Sequence, residues 1–175
     1  CTEIIEYSSP EETAVCNLAS IALPKFVKQD KTFDFDKLVE VSKVITRNLN
    51  KVIDVNFYPT EKTRVSNMKH RPIGIGVQGL ADVFALMDMP FHSDRARHVN
   101  KEIFESIYYG AVTASIELSK KDGSYSSFSG SPASEGKLQF DLWNVKPHSR
   151  YNWKQVKDNL TKHGMRISLL VAPMP

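Results

Sequence analysis

Apolar residues recur at helical spacing along three stretches of the chain, and this pattern predicts three amphipathic helices. The stretches run from about Asp36 to Asn56, from Ser93 to Gly123, and from about Trp153 to His163. Asp34 and Ser93 have the short polar side chains that cap helix N-termini. Gly123 and Gly164 follow the second and third stretches, as glycine commonly does where a helix ends.

Shorter apolar segments predict extended structure between these helices. Residues 1–7 look extended, residues 13–23 are typical of a buried strand or loop, and residues 167–172 predict a buried strand. Helices separated by short apolar strands indicate an α/β architecture with a helix-covered sheet. We predict one domain, or part of one, over residues 1–175.

Polar and glycine-rich segments connect these elements. Residues 60–72 predict a polar connector, and the glycine-punctuated segment after it is expected to become helical at about residues 78–87. Residues 124–136 are rich in serine, glycine and proline and predict a loop. Part of this loop looks like a phosphate-binding loop, but it lacks the lysine that such loops use.

The composition is that of an ordinary globular protein, with 41% hydrophobic and 25% charged residues. The formal charge of +3 is spread along the chain without a basic run, which argues against nucleic-acid binding. No apolar stretch approaches the roughly 18 residues of a membrane span, so we expect no membrane partner. Two cysteines cannot form a disulfide framework, and we therefore expect a reducing, cytoplasmic setting.

Both ends of the sequence look cut, so we expect an internal fragment of a longer protein. The chain begins at Cys1 rather than at a methionine, and it ends in an apolar run that is followed by turn residues. A junction left by an intein would also place a cysteine first.

Cys1 and Glu3 are the first candidates for chemistry. In an extended segment, side chains two residues apart project to the same face, so the thiol and the carboxylate would share one space. A sulfur radical can remove a hydrogen atom while a neighbouring carboxylate takes a proton from the same substrate. The structural alternative is a buried thiol beside a surface acid, and this spacing of cysteine and glutamate is common in proteins.

Cys16 lies among small and apolar residues, where a buried structural thiol is the alternative to a redox role. Its spacing from Cys1 fits neither a zinc knuckle nor a Cys-x-x-Cys redox pair. The five histidines, which are His70, His92, His98, His148 and His163, show no metal-ligand spacing. We therefore predict no metal site.

Residues 74–79 match the Gly-x-Gly-x-x-Gly fingerprint of dinucleotide-binding loops, and Asp94 lies near the position of a ribose-binding acid. That fingerprint requires a buried strand directly before it, whereas polar residues ending in Pro72 precede it here. We therefore interpret these glycines as positions of close backbone approach and of a tight entry into the following helix. A nucleotide-binding oxidoreductase that uses this motif is kept as an alternative.

Several sequence blocks in one order resemble the large, catalytic subunit of class I ribonucleotide reductases, in its eukaryotic-type branch. They are Cys-Thr-Glu-Ile at residues 1–4, Ala-Val-Cys-Asn-Leu-Ala-Ser at 14–20, Arg-Asn-Leu-Asn at 47–50, His-Arg-Pro-Ile-Gly-Ile-Gly-Val-Gln-Gly-Leu-Ala-Asp at 70–82, Tyr-Tyr-Gly-Ala at 108–111, Trp-Asn-Val at 143–145 and Ala-Pro-Met-Pro at 172–175. The resemblance implies part of the ten-stranded α/β barrel of that family. The chain would supply the tip of its finger loop and much of its second half-barrel.

The same resemblance implies roles for three residues. Cys1 would carry the thiyl radical that removes the 3′-hydrogen of a ribonucleoside diphosphate, and Glu3 would be the general base. Cys16 matches one member of the redox-active cysteine pair, whose partner lies upstream of the chain. The implied activity is that of a ribonucleoside-diphosphate reductase in deoxyribonucleotide biosynthesis, of which this fragment is expected to be inactive alone.

Cofactors and partners implied by the resemblance lie largely outside this segment. The radical comes from the metal-containing small subunit, nucleotide effectors such as ATP bind elsewhere in the large subunit, and no cofactor is expected within this fragment. The substrate is a ribonucleoside diphosphate, and thioredoxin or glutaredoxin is the external reductant. The intact large subunit is expected to form a homo-oligomer.

Two positions depart from the family pattern. Ile167 stands where the family usually has asparagine, and Val156 stands where it has leucine or phenylalanine. The alternative to an active reductase is therefore a diverged, non-catalytic homologue or a remnant that is retained for subunit association.

Overall fold

Three parallel strands form the sheet of this chain, whose structure, a computed structural model, describes residues 5–171 and gives the backbone alone for residues 169–171. The strands are β1 (Leu18–Ala22), β2 (Pro72–Gln78) and β3 (Ser168–Val171), in the order β1-β2-β3. In the register, Leu18 lies opposite Gly74, and Pro72 lies opposite Ser168. The amino-terminal ends of the three strands therefore share one edge of the sheet.

Six helices accompany the strands in the described part of the chain. They are α1 (Phe35–Val55), α2 (Glu61–His70), α3 (Leu80–Leu86), α4 (Asp94–Asp122), α5 (Gln139–Leu142) and α6 (Trp153–His163), with 3-10 turns at Leu23–Phe26 and Pro132–Glu135. The α/β architecture predicted from the sequence is thus confirmed. Within residues 5–171, no helix combines the length and the apolar character that crossing a bilayer requires.

The three amphipathic helices are confirmed as α1, α4 and α6, together with their caps. The Asp34 side chain accepts a hydrogen bond from the Lys37 backbone N–H at 3.0 Å, and Ser93 accepts one from the Ala96 N–H at 3.1 Å. These bonds satisfy backbone donors that the first turn of a helix leaves without partners. Gly123 ends α4 with φ +77°, a left-handed conformation that glycine adopts at no steric cost.

The most extensive helix packing in the described part of the chain is between α1 and α4, and it depends on Gly110. A Cβ atom at this position would lie 2.7 Å from the Val39 carbonyl oxygen and 2.9 Å from the Ser42 Cβ. Both distances are well inside van der Waals contact, so any larger residue would push the helices apart. Glycine therefore sets how near these two helices approach.

Residues 60–72 were predicted to be a polar connector, and this prediction was wrong because most of them form helix α2. Thr60 caps the helix by accepting a hydrogen bond from the Thr63 backbone N–H at 3.3 Å. The buried residues of α2 are Thr63, Ser66 and Asn67, all polar, so the segment has no apolar periodicity from which a helix could be predicted. Polar side-chain hydrogen bonds, described below, hold it in place.

Strand β2 was not predicted, because a proline and a polar segment precede the glycines. Pro72 is the first residue of the strand, a position at which a missing N–H is tolerated even in the middle of a sheet. Ile73 and Ile75 belong to the core, whereas Gly74 and Gly76 alternate with them and face the other side of the sheet. The glycine motif is therefore itself the central strand.

Arg71 makes the turn from α2 into β2 with φ +45° and ψ +55°, a left-handed conformation that is uncommon for arginine. Its side chain is buried and donates to the Asn50 carbonyl oxygen at 2.8 Å, to Asn50 Oδ1 at 2.7 Å and to Asp54 Oδ1 at 2.7 Å. These charge-assisted bonds to α1 offset the cost of the backbone conformation.

Two hydrophobic cores share α4. The first joins the sheet to α1, α3 and the amino-terminal half of α4, and its fully buried members include Leu38, Ile53, Ile73, Ile75, Ile103 and Ile107. The second packs the carboxy-terminal half of α4 against α6, and its buried members are Val112, Ile116, Leu138, Trp153, Val156, Leu160 and Met165. One long helix thus connects a mainly aliphatic core to a core with many aromatic neighbours.

Candidate functional site

Cys16 is the predicted site residue that the structure describes, whereas Cys1 and Glu3 lie outside the described residues. It lies two residues before the start of β1 and is exposed, so the buried structural thiol considered from the sequence is not what is found. This position is at the amino-terminal edge of the sheet. A thiol there is accessible to other molecules or to other parts of a longer chain.

Asn17, the neighbour of Cys16, fixes this position. Its side chain is buried and donates to Asn67 Oδ1 at 2.8 Å and to the Pro72 carbonyl oxygen at 2.9 Å. The Asn17 carbonyl oxygen accepts from the Gly74 backbone N–H at 2.8 Å. Adjacent residues of an extended segment project to opposite sides, so the burial of Asn17 turns Cys16 outward.

Asn67 extends this network to α1. Its Nδ2 donates to the Tyr58 hydroxyl at 2.6 Å and to Asn17 Oδ1 at 3.3 Å, and the Tyr58 hydroxyl donates to the Ile53 carbonyl oxygen at 2.7 Å. A buried polar network in which the members satisfy one another holds a defined geometry. The backbone next to Cys16 is therefore rigidly placed.

A buried carboxylate, Glu12, lies in the segment that leads to Cys16. Lys69 Nζ is 3.2 Å from each of its oxygens, and His70 Nε2 is 3.2 Å from Oε1. Burial works to raise the pKa of this carboxyl, but the hydrogen bonds and charges of His70 and Lys69 outweigh that effect and hold the pKa below its usual range. Glu12 is therefore ionised at neutral pH.

His70 continues this cluster, because its Nδ1 is 2.7 Å from the Ser127 hydroxyl. The serine-rich loop considered as a phosphate loop thus contributes a hydroxyl to a histidine. We call the set of Glu12, Lys69, His70 and Ser127 the Glu12 cluster. Its members come from three separate segments, so spacing along the sequence gave no signal for it.

A cavity of about 260 Å³ opens beside His70 at the amino-terminal edge of the sheet. Pro72 and Ser168, the first residues of β2 and β3, line it together with Glu6 and Tyr7. Burial raises the pKa of the Glu6 carboxyl, which favours its protonated form. A carboxyl group and an imidazole, which both line this cavity, are the kinds of side chain that transfer protons in enzymes.

The Gly-x-Gly-x-x-Gly segment does not have the context of a dinucleotide loop. Only the first two residues of β2 precede Gly74, and the first two glycines lie inside that strand rather than in a loop after it. Gly79, with φ +73°, begins α3, and a Cβ there would lie 2.7 Å from Pro24. These features agree with close backbone approach and a tight helix entry. Asp94 is in the first turn of α4 and pairs with Arg97.

A second cluster, which the sequence did not predict, lies away from the sheet edge. His98 and Glu102 on α4 meet His148 and Arg150 from the segment between α5 and α6. We call these four residues the Glu102 cluster. The prediction of no metal site rested on spacing, and spacing is uninformative for ligands from segments this far apart.

The two departures from the family pattern are apolar residues in apolar surroundings. Ile167 is fully buried in the first core and Val156 is buried in the second. The Ile167 backbone N–H donates to the Ser115 hydroxyl at 3.1 Å. Both side chains fill space in these cores.

The comparisons with known proteins agree on one family. The family model of the ribonucleotide reductase barrel domain matches residues 1–175. The ribonucleoside-diphosphate reductase large subunit of Caenorhabditis elegans is 62% identical over 175 residues, which are 100% of this chain and 22% of that protein. The ribonucleoside-diphosphate reductase large chain of Schizosaccharomyces pombe is 58% identical over 175 residues, again 100% of this chain and 22% of the relative. The chain thus spans about a fifth of the length of these relatives.

Proposed function

Because this chain belongs to the ribonucleotide reductase barrel-domain family, we propose that it is part of the large, catalytic subunit of a ribonucleoside-diphosphate reductase. The three-stranded parallel sheet is then one portion of the family's α/β barrel. The activity belongs to the full-length protein, in which the missing strands complete the barrel. The substrate is a ribonucleoside diphosphate and the product is the 2′-deoxy form.

The proposed chemistry assigns one step to each candidate residue. A thiyl radical on Cys1 takes the 3′-hydrogen atom of the ribose, and Glu3 takes the proton of the 3′-hydroxyl. The 2′-hydroxyl leaves as water, and Cys16 with an upstream cysteine supplies two electrons and becomes a disulfide. The 3′-hydrogen then returns, which restores the thiyl radical. The balance is one ribonucleotide and two thiols converted to one deoxyribonucleotide, one disulfide and one water.

The observation that carries the assignment of Cys16 is its exposure beside the buried Asn17. A cysteine that exchanges disulfides must be reached by a second thiol, so an inert buried position would contradict the role. Asn17 and its hydrogen bonds hold the adjacent backbone to β2 and α2. A rigid backbone with an accessible thiol is what alternate oxidation and reduction of one sulfur requires.

The sheet supports the barrel interpretation through its two different faces. One face carries Ile21, Ile73 and Ile75 and is covered by helices, as the outer face of an α/β barrel is. The other face carries Gly74 and Gly76, which add no side chains. A face of this kind leaves room for a loop to run along the inside of the sheet, where the family's finger loop would lie.

Partners and setting follow from the proposal. The small subunit supplies the radical that oxidises Cys1, and thioredoxin or glutaredoxin supplies the thiols that reduce the disulfide again. The proposal also implies that the large subunit forms a homo-oligomer and that the protein is cytoplasmic.

The test is Cys16→Ser in the full-length protein with its small subunit. Serine is close to cysteine in size and Cys16 is exposed, so the fold is expected to persist. We expect multiple-turnover formation of deoxyribonucleotide to fall at least about 100-fold, because no disulfide can form, while substrate affinity stays within about twofold. Glu11→Gln, a change at an exposed residue of the same segment, is the matched control and should have no effect.

Cys1→Ser separates the radical role from the redox pair. A hydroxyl does not replace a thiol as a hydrogen-atom carrier, so this variant should lose even a single turnover while it still binds substrate. Substantial turnover by Cys1→Ser would refute the radical assignment, and full multiple turnover by Cys16→Ser would refute the redox assignment.

A further inference from the structure

We propose that His98, Glu102 and His148 bind a divalent transition-metal ion of the Zn²⁺ type, which ties the segment before α6 to α4. The inference does not depend on the reductase chemistry proposed above. One ligand atom from each of the three side chains can be chosen so that all three lie within 4.8 Å of one another. Two imidazoles and one carboxylate are a donor set that zinc sites use.

The helix supplies two of the ligands. His98 and Glu102 are four residues apart on α4, a spacing that puts both side chains on one face. His98 Nε2 lies 3.4 Å from Glu102 Oε2. Two ligand atoms that are each about 2.0–2.1 Å from a tetrahedral zinc ion lie about 3.4 Å apart, so this pair already has the required separation.

The segment between α5 and α6 supplies the third ligand. His148 Nδ1 lies 3.8 Å from Glu102 Oε1, and the rings of His98 and His148 meet edge to face with centroids 5.1 Å apart. The backbone around His148 is already held, because its N–H donates to Glu105 Oε2 at 2.8 Å. The three ligand atoms lie within 4.8 Å of one another, so side-chain movements of up to about 1.4 Å would bring them to the roughly 3.4 Å separation of ligands on a tetrahedral zinc ion.

Arg150 decides which oxygen of Glu102 is available. Its guanidinium donates to Glu102 Oε1 at 2.6 and 3.2 Å, and it lies over the Phe35 ring at 4.3 Å. Oε2, beside His98, is therefore the oxygen that we assign to the ion. A hydrogen bond to the other oxygen orients a metal-binding carboxylate.

Charge and exposure determine the kind of ion. Arg150 neutralises much of the Glu102 charge, so binding rests mainly on the two imidazoles. Imidazole ligands favour Zn²⁺ and similar ions over Mg²⁺ and Ca²⁺, which prefer oxygen. The His98 side chain is more than half exposed and the His148 side chain more than a third, so water can occupy the fourth position.

The test uses the full-length protein, freed of metal with a chelator, and titration with Co²⁺ followed by its visible absorption, then displacement by Zn²⁺. We expect His98→Ala and His148→Ala each to bind one equivalent less than the unmodified protein, or to bind that equivalent at least about tenfold more weakly. His92→Ala, an exposed histidine outside the cluster, is the matched control and should bind as the unmodified protein does. Because each result is a difference between variants, metal sites elsewhere in the longer protein do not affect it.

A second measurement covers the case of a variant that folds poorly. Hydrogen exchange at residues 144–150 should slow on addition of Zn²⁺ but not of Mg²⁺, and the slowing should be absent in His148→Ala. Equal Co²⁺ stoichiometry and affinity in the unmodified protein and in both histidine variants would overturn the proposal. Equal protection by Mg²⁺ and Zn²⁺ would overturn it as well.

Discussion

Glu12 and Glu102 are two buried carboxylates with similar partners, but Glu12 lies in an irregular segment and Glu102 lies in a helix. Each contacts one cationic side chain and at least one histidine: Glu12 contacts Lys69 and His70, and Glu102 contacts Arg150 and two histidines. Glu12 belongs to an irregular segment and its partners end a helix. Glu102 belongs to a helix and its basic partner Arg150 comes from an irregular segment. In both places a carboxylate joins a loop to a helix.

The two clusters differ in how far their histidines are satisfied. Both ring nitrogens of His70 have partners, which are Glu12 and the Ser127 hydroxyl. His98 and His148 are more exposed than His70 and meet at one side of Glu102. The same kinds of side chain therefore form a closed hydrogen-bonded network in the Glu12 cluster and a set of convergent ligand atoms in the Glu102 cluster. The arrangement, more than the composition, separates a structural cluster from a binding site.

The largest effect is expected from Glu102→Ala, measured without metal. The change removes the acceptor of both Arg150 hydrogen bonds. Hydrogen bonds to charged groups contribute about 1.5–3 kcal/mol, and since Arg150 is partly exposed we expect a loss of about 2 kcal/mol in the free energy of local opening. Hydrogen exchange at residues 144–150 should then be about 30-fold faster. Acceleration of less than about threefold would mean that Glu102 does not anchor this segment.

A smaller, pH-dependent effect is expected from Glu12→Gln. The folded-state pKa of Glu12 lies below the ordinary glutamate value, so its stabilising contribution is complete above that value and is lost as the pH falls through the folded-state pKa. Glutamine removes this contribution but can still accept a hydrogen bond from Lys69. The thermal midpoint of the variant should be lower at pH 7 and should approach that of the unmodified protein as the pH falls below the folded-state pKa of Glu12. A constant difference at every pH would contradict this account.

The smallest effect is expected from Glu135→Gln. Glu135 pairs with Lys137 at 2.6 Å, but both side chains are more than half exposed. Exposed ion pairs contribute little because water screens them. The thermal midpoint of Glu135→Gln should equal that of the unmodified protein at both low and high salt. A drop as large as that of Glu12→Gln would show that burial is not what distinguishes these carboxylates.

The elements that were predicted from the sequence are those whose burial is apolar and periodic. Helices α1, α4 and α6 have capping residues and apolar faces, and the structure places them where the pattern does. The prediction of a connector where α2 lies was wrong, because the residues that this helix buries, Thr63, Ser66 and Asn67, are all polar. The central strand was missed because three of its seven residues are proline or glycine, whose placement depends on neighbouring strands rather than on local preference.

The candidate site was predicted only as far as the family resemblance extends. Cys1, Glu3 and Cys16 were assigned by matching blocks of sequence, and the structure adds the exposure of Cys16. The Glu12 cluster could not be predicted, because His70 is 58 residues from Glu12 along the chain. The same is true of Glu102 and Arg150, which are 48 residues apart. Tertiary folding alone brings such groups together.

Gly110 has a genetic consequence. Replacing it with alanine would improve helix propensity by up to about 1 kcal/mol, yet it would place a methyl group 2.7 Å from the Val39 carbonyl oxygen. The gain in helix propensity and the steric clash oppose each other. The substitution itself lies between α1 and α4 and leaves the proposed catalytic residues unchanged. Because the clash is with backbone, we expect Gly110→Ala to lower the thermal stability of the fold, so a single codon change there should give a temperature-sensitive allele.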